Sequence, residues 1–278
     1  MLVTAVFTAH PQAADAPRKF AITEVALHQS DGGPTLPASH LFLPGESVFV
    51  TFRVAGYQKA GEERERIHIT WQLEAFDPEG VPIVESKKDK IDVELAAEDK
   101  NWVPKARHNF ELPPIADSGT YRITLAAKDE LSGAASKIDI PFRLRGPAVE
   151  PSATLTYRNF RWLRSEDDTT PLKTSSYRPG DQVWARFAIT GYKFAAANRF
   201  EISYGLEVFR DAEGKSMYKE DTAATITDQS FYPKRHMGGV LNLNLQPDIA
   251  KGSYTILLRL RDHVAAQTHE SRHTFVIE

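Results

Sequence analysis

The sequence predicts an all-β chain built as two tandem β-sandwich domains. Three observations carry that prediction. Residues 43–57, LPGESVFVTFRVAGY, recur as residues 178–192, RPGDQVWARFAITGY, with Gly45 and Tyr57 returning as Gly180 and Tyr192 at an offset of 135. Within each copy apolar and polar side chains alternate with period two, the pattern of a half-buried strand rather than a helix. The chain has 278 residues, 41% hydrophobic and 26% charged, with no cysteine. That length suits two domains, each able to bury its own core without covalent staples.

The strands follow in order. The first candidate strand is 20–28, with Phe20, Ile22 and, less regularly, Val25 and Leu27 as its apolar positions. The stretch 29–40, containing Asp31-Gly32-Gly33-Pro34, is a turn region. Pro44-Gly45 launches the next strand, with Val48, Val50, Phe52 and Val54 inward. The charged run at 62–66, EERER, reads as a solvated loop, because the second copy has Ala195-Ala196-Ala197-Asn198-Arg199 there. Ile67, Ile69, Trp71, Leu73 and Ala75 then form an inward face, closed by an Asp77-Pro78-Glu79-Gly80 turn. Weaker strands are expected at 82–85 and 90–95, further strands at 107–112 and 136–144, and between those last two Tyr121, Ile123, Leu125 and Ala127 face inward. The second half repeats this at an offset that slips from 135 to 133 between Tyr57 and Ile69, where the charged loop sits. Length changes belong in loops.

The expected domain plan is therefore a first sandwich over 17–145, a Pro-containing linker over 146–153 and a second sandwich over 154–278. Residues 1–16 open with the apolar run MLVTAVFTA and end in Ala14-Asp15-Ala16, the small-x-small pattern of a signal-peptidase site. They read as a signal-peptide remnant, so the chain is expected to be exported, to the periplasm or the extracellular space. No apolar run approaches the roughly 20 residues of a membrane-spanning helix.

Asp117-Ser118-Gly119-Thr120-Tyr121-Arg122-Ile123, with Gly252, Tyr254 and Ile256 as its second copy, resembles the tyrosine corner of immunoglobulin-like domains. The third-strand aromatics Trp71 and Tyr204 match the buried aromatic of that family. Each half is thus similar to an immunoglobulin-like or fibronectin-III-like sandwich of seven or eight mainly antiparallel strands. The missing cysteine pair, and Tyr in place of the second Trp, set it apart from antibody-type domains. The resemblance implies a surface or periplasmic binding role and names no ligand.

The sequence carries few signs of catalytic chemistry. No G-x-S-x-G elbow, H-E-x-x-H pair or phosphate-binding loop is present, so no catalytic residue and no cofactor are assigned. His269 and His273, four apart on a strand, stand roughly 13 Å from each other and cannot share a metal. Glu166-Asp167-Asp168 lacks the surrounding pattern of a calcium loop, and Gly238-Gly239 reads as a bulge or turn. A net charge of −3 supplies no field for nucleic acid.

Two duplicated features remain as a candidate binding surface. Phe49 and Trp184 point away from the core in the 43–57 and 178–192 strands, where they either pack under a loop or meet a partner. Trp102, Lys105, Arg107 and His108 parallel Phe231, Tyr232, Lys234, Arg235 and His236 at a local offset of 129. An aromatic beside cations suits a glycan or an anionic peptide group; the alternative is a duplicated loop whose aromatic caps the core edge. The expected function is a non-catalytic exported protein that binds a protein or glycan of the cell envelope. A structural spacer or assembly subunit using sheet edges is the alternative, and a hydrolase or metal site built on loops is the third.

Overall fold

The computed structural model describes residues 19–61, 64–96, 99 and 102–278. The expected signal remnant at 1–16 lies outside the described residues, as do Glu62 and Glu63 of the charged loop.

The first half holds β1 (Ala21–His28), β2 (Leu41–Phe42), β3 (Ser47–Ala55), β4 (Arg66–Phe76), β5 (Lys87–Glu94), β6 (Lys105–Glu111), β7 (Gly119–Asp129) and β8 (Ala135–Leu144). They form two sheets, ordered β1-β3-β6 and β2-β8-β7-β4-β5. The second half holds β9 (Thr156–Leu163), β10 (Ser176–Tyr177), β11 (Gln182–Thr190), β12 (Phe200–Arg210), β13 (Lys215–Asp228), β14 (His236–Asn244), β15 (Gly252–Asp262) and β16 (Gln267–Ile277). Their sheets, β9-β11-β14 and β10-β16-β15-β12-β13, copy the first pair strand for strand. Pairing is antiparallel except for the short β2–β8 and β10–β16 contacts. The chain is two tandem β-sandwich domains, as the alternation predicts. No strand covers 145–155, where Ser118 Oγ donates to Gly146 O at 2.9 Å and Asn159 donates to Ala148 O at 2.9 Å.

Alternation places the core. Val48, Val50, Phe52 and Val54 are at most 1% exposed, and β4 contributes Ile67, Ile69, Trp71, Leu73 and Ala75. Phe52 meets Trp71 edge-on at 5.4 Å, and the duplicate pair Phe187 and Tyr204 does the same at 5.3 Å. The irregular pattern of the first strand has a local cause. Glu24 adopts φ 47° and Asn159, 135 residues on, adopts φ 57°. Each forms a bulge that shifts register, between Thr23 and Ala26 on β1 and opposite Arg186 and Ala188 on β11. Tyr121 and Tyr254 each donate to a carbonyl four residues upstream, Asp117 O at 2.9 Å and Ala250 O at 2.7 Å.

Two expectations are corrected. Residues 82–85 are not a strand: Pro82 makes only an isolated bridge to Phe76, and proline has no N–H to extend a ladder. Ile83 instead turns inward, buried, with its N–H on Ala75 O at 2.9 Å. The following strand accordingly begins earlier than expected, at Lys87. Gly238-Gly239 is neither bulge nor turn. It lies within β14 in unbroken register with Ala188 and Phe187 of β11. A Cβ on Gly239 would sit 2.2 Å from the Phe187 ring, which is already packed by Tyr157, Phe160 and Tyr204. Gly239→Ala is expected to cost about 1–3 kcal/mol through overpacking, read as a lowered melting temperature, whereas Gly238→Ala, with open space around it, leaves the melting temperature nearly unchanged.

Candidate functional site

The outward face of the five-stranded sheet in the first sandwich gathers cations. Register sets the rows: Thr70 lies between Lys90 and Lys128, and Gln72 lies between Lys88 and Ala126. Across β8, Ala135 faces Lys128 and Lys137 faces Ala126. Small and short polar side chains therefore floor a shallow concavity of about 780 Å³, and Lys88, Lys90, Lys128 and Lys137 rim it. Two of these are paired. Lys90 lies 3.5 Å from Asp92, a carboxylate that Arg66 already holds at 2.7 Å, and Lys128 is bonded to Glu130. Lys88 and Lys137 have no acidic partner among the described residues, and both are exposed. The same face of the second sandwich differs. There Arg259 is bridged between Glu207 at 2.9 Å and Glu270 at 2.8 Å, and Arg272 lies over the Phe209 ring.

A smaller notch of about 260 Å³ lies beside this face and shares Asp89 with it. It brings together three sequence-predicted residues, Phe49, Arg107 and His108, with His28, Asp31 and Lys87. Phe49 is half-buried there. Arg107 pairs with Asp31 at 3.3 Å. Burial, with Lys87 nearby, pushes the His108 imidazole below its usual range despite the opposing Asp89 charge. Trp102 and Lys105 are exposed at the start of β6, and Tyr57 donates to Trp102 O. Trp184 is half-buried on the second sandwich, with Nε1 on Gln182 Oε1 at 3.2 Å.

The second aromatic-basic stretch has a different fate. The Tyr232 ring is buried in the core of the first sandwich. Its hydroxyl donates to Asp77 Oδ2 at 3.0 Å, and Arg235 donates to the same oxygen at 2.8 Å while reaching Glu79 at 3.0 Å. The guanidinium lies 5.6 Å from the Tyr232 ring centre. His236 Nε2 stands 3.4 Å from Asp117 Oδ1. Lys234 pairs with Asp228. Burial pushes the Tyr232 phenol far up and the Tyr121 phenol beside it up to about 12. Burial opposes the Arg235 charge, but Tyr232, Asp77 and Glu79 outweigh it and hold that group above its usual value. Tyr232, Arg235 and His236 thus form an inter-sandwich clamp and are taken up within the chain. Phe231 remains 52% exposed, its carbonyl held by Asn198.

The two stretches are also not structural counterparts. Phe52 faces Ala106 and Phe187 faces Gly239, so the strands correspond at an offset of 133 and Trp102 stands where Arg235 stands. The sequence match at 129 pairs residue types without pairing positions. Sequence reasoning missed Asp77, which it read as a turn residue, and the four lysines. Their signal was period-two spacing in Lys88 and Lys90, legible only once the neighbouring strands are placed. Among the described residues no three His, Asp or Glu side chains converge to hold a metal ion, and no helix is long and apolar enough to cross a membrane.

No protein-family model matches the chain, and no curated protein is similar to it in sequence. Among solved structures, the C-terminal domain of the Streptococcus agalactiae antigen I/II polypeptide BspA aligns at 9% identity and a TM-score of 0.32, covering 93% of this chain and 99% of that one. The C-terminal domain of the Streptococcus pyogenes antigen I/II-family protein AspA aligns at 10% identity and 0.33, covering 94% and 100%. Superposition at that level is too loose to carry a functional argument.

Proposed function

We propose that the chain is a non-catalytic, exported binding protein of the cell envelope, and that the lysine-rimmed sheet face of its first sandwich receives an anionic protein or glycan. The observation that supports this is the rim itself: four lysines around a floor of Thr70, Gln72, Ala126 and Ala135, two of them without an acidic partner among the described residues. Clustered like charges raise the local field and draw in an oppositely charged chain. The shallow, open floor suits an extended polymer lying across strands better than an enclosed small molecule.

A polyuronate oligosaccharide, with neutral dextran as control, tests the reading. The polyuronate is expected to bind with an affinity that falls as salt rises, and Lys88→Glu with Lys137→Glu is expected to weaken it roughly tenfold or more. Equal binding of dextran, or unchanged polyuronate binding by the double variant, contradicts it. The alternative of an assembly subunit that adds strands at sheet edges finds β5 charged along its length and β13 free of charge over 222–227, TAATIT. Charged edges resist strand addition, so of these two edges β13 is the one where that reading would act.

A further inference from the structure

The duplication supplies an internal comparison for one more surface. Ala75 faces Ile123 across β4 and β7, and Val208 faces Ile256 across β12 and β15, so Ala75 and Val208 are structural counterparts. Beside Ala75 the first sandwich is covered by its own chain: Ile83 turns inward and is buried, with Val81 and Val84 packed against the same core. Beside Val208 the second sandwich has no such segment, because β12 turns directly into β13 through residues 211–214. Tyr218 pairs with Val208 and Ser216 with Phe209, which leaves Met217 as the extra residue of a bulge, 52% exposed rather than turned inward. The flank stays open as a cavity of about 620 Å³, lined by Val208, Leu245, Tyr254 and Phe275 of the core.

The rim of this cavity is polar and carries no net charge. Its one cation, Arg210, is paired with Glu213 and with Lys251 O, and Asp248 adds one carboxylate. Asn242, Asn244 and Gln246 alternate along the edge strand β14 and the residues after it, all three exposed. Their amides and the Asp248 carboxylate have no hydrogen-bond partner among the described residues. From the other sheet, Tyr218 contributes a ring that is 48% exposed, its hydroxyl donating to Glu220 Oε2 at 2.9 Å. A side-chain amide offers a donor and an acceptor together. An apolar cavity of this size with a few convergent polar groups has the ordinary form of a small-ligand site, and its charge balance favours a neutral ligand.

We propose that this cavity binds a neutral N-acetylated amino sugar. The acetamido methyl takes the apolar lining beside Leu245 and Phe275, where the second sandwich has no counterpart of Ile83 to cover it. The acetamido N–H and C=O meet the unengaged amides of Asn242, Asn244 and Gln246, which can answer both. The C–H face of the sugar ring lies against the amphipathic ring of Tyr218, and its hydroxyls donate to Asp248. The site is on the other sandwich from the lysine-rimmed face and uses no unpaired cation, so it adds a second ligand rather than a second view of the first. One sugar in an open cavity is held weakly, with a Kd on the order of millimolar.

Calorimetric titration of the full chain with N-acetylglucosamine, its β-linked trimer and glucose tests this. N-acetylglucosamine and the trimer are expected to bind and glucose is not, because it lacks the acetamido group; dextran is refused for the same reason. Equal affinity for monomer and trimer marks a single sugar at a chain end, and tighter binding of the trimer marks a longer chain lying through the cavity; both support the site. Binding is expected to be insensitive to salt, unlike that of the polyuronate. Tyr218→Ala, and separately Asn244→Ala with Gln246→Ala, are each expected to weaken it roughly tenfold or more, with unchanged melting temperature as the folding control because all three side chains are exposed. No binding of N-acetylglucosamine or its trimer by the wild type, equal binding of glucose, or binding unchanged in both variants overturns the proposal. Polyuronate binding is expected to be the same in wild type and Tyr218→Ala, so failure here is separable from failure of the lysine face.

Discussion

Asp77→Ala is expected to uncouple the two sandwiches and to cost about 3 kcal/mol or more. The Asp77 side chain is fully buried, and its two oxygens have separate duties. Oδ1 accepts the backbone N–H groups of Glu79 and Val81 at 2.9 and 2.8 Å, which shapes the turn after β4. Oδ2 accepts Tyr232 and Arg235 across the domain contact. Removing one partner of a buried ion pair leaves the other charge without compensation, typically about 3–5 kcal/mol, with the lower end fitting a guanidinium that keeps some solvent access. Denaturant unfolding followed by two probes is expected to change from one coupled transition to two. Asp77→Asn separates the duties. It keeps an acceptor for the turn and places an amide where the carboxylate met Arg235, so coupling is lost while the first sandwich keeps most of its stability. If Asp77→Asn unfolds in one transition like the wild type, the clamp does not couple the domains.

Asp129→Ala is the second large effect, and it is confined to one domain. Asp129 is solvent-excluded. It accepts Gln58 N at 2.8 Å, Leu131 N at 3.1 Å and Ser132 Oγ at 2.5 Å, joining the exit of β3 to the β7–β8 turn. Asp262 repeats the device, accepting Lys193 N and Val264 N, each at 2.9 Å. Each unpaired N–H costs about 1 kcal/mol or more, so Asp129→Ala is expected to lose about 3 kcal/mol. Asp262→Ala is expected to strike the second sandwich instead. The pH dependence follows from the same bonds. Burial pushes the Asp129 carboxyl up, but the Ser132, Gln58 and Leu131 donors outweigh it and hold it below the usual carboxylate range. A depressed folded-state value contributes stability that is fully present above the unfolded value, near 3.9, and is lost as pH falls through the folded value. The first sandwich of the wild type is therefore expected to lose stability below about pH 4, and the Asp129→Ala variant to show a shallower loss there. A parallel pH profile for the two proteins would remove Asp129 from that role.

How much of this was legible in the chain depends on the range of the signal. The sandwich was legible because alternation is local and because it occurs twice: Val48 to Val54 and Ile67 to Ala75 name their inward faces without knowing their neighbours. Glu24 and Asn159 blurred the first strand, since one residue at positive φ shifts every later side chain to the other face. The clamp was not legible. Asp77-Pro78-Glu79-Gly80 reads as a turn whether or not its carboxylate also holds Arg235, 158 residues away. The aromatic-basic stretches match in composition, but strand pairing, not composition, decides equivalence, and it moves the match by four positions. The lysine face was hidden for the same reason. Lys88, Lys90, Lys128 and Lys137 lie on three strands and become one rim only when β5, β4, β7 and β8 are placed side by side.

Lysine footprinting on the polyuronate-bound protein tests the central claim most directly. Reductive methylation, read by mass spectrometry with and without the glycan, reports each amine separately. Protection is expected at Lys88, Lys90, Lys128 and Lys137, with Lys105 and Lys234 modified to the same extent in both samples. Protection centred on Lys105 and Lys234, with the sheet-face lysines unchanged, would contradict the account and return binding to the aromatic-basic loops.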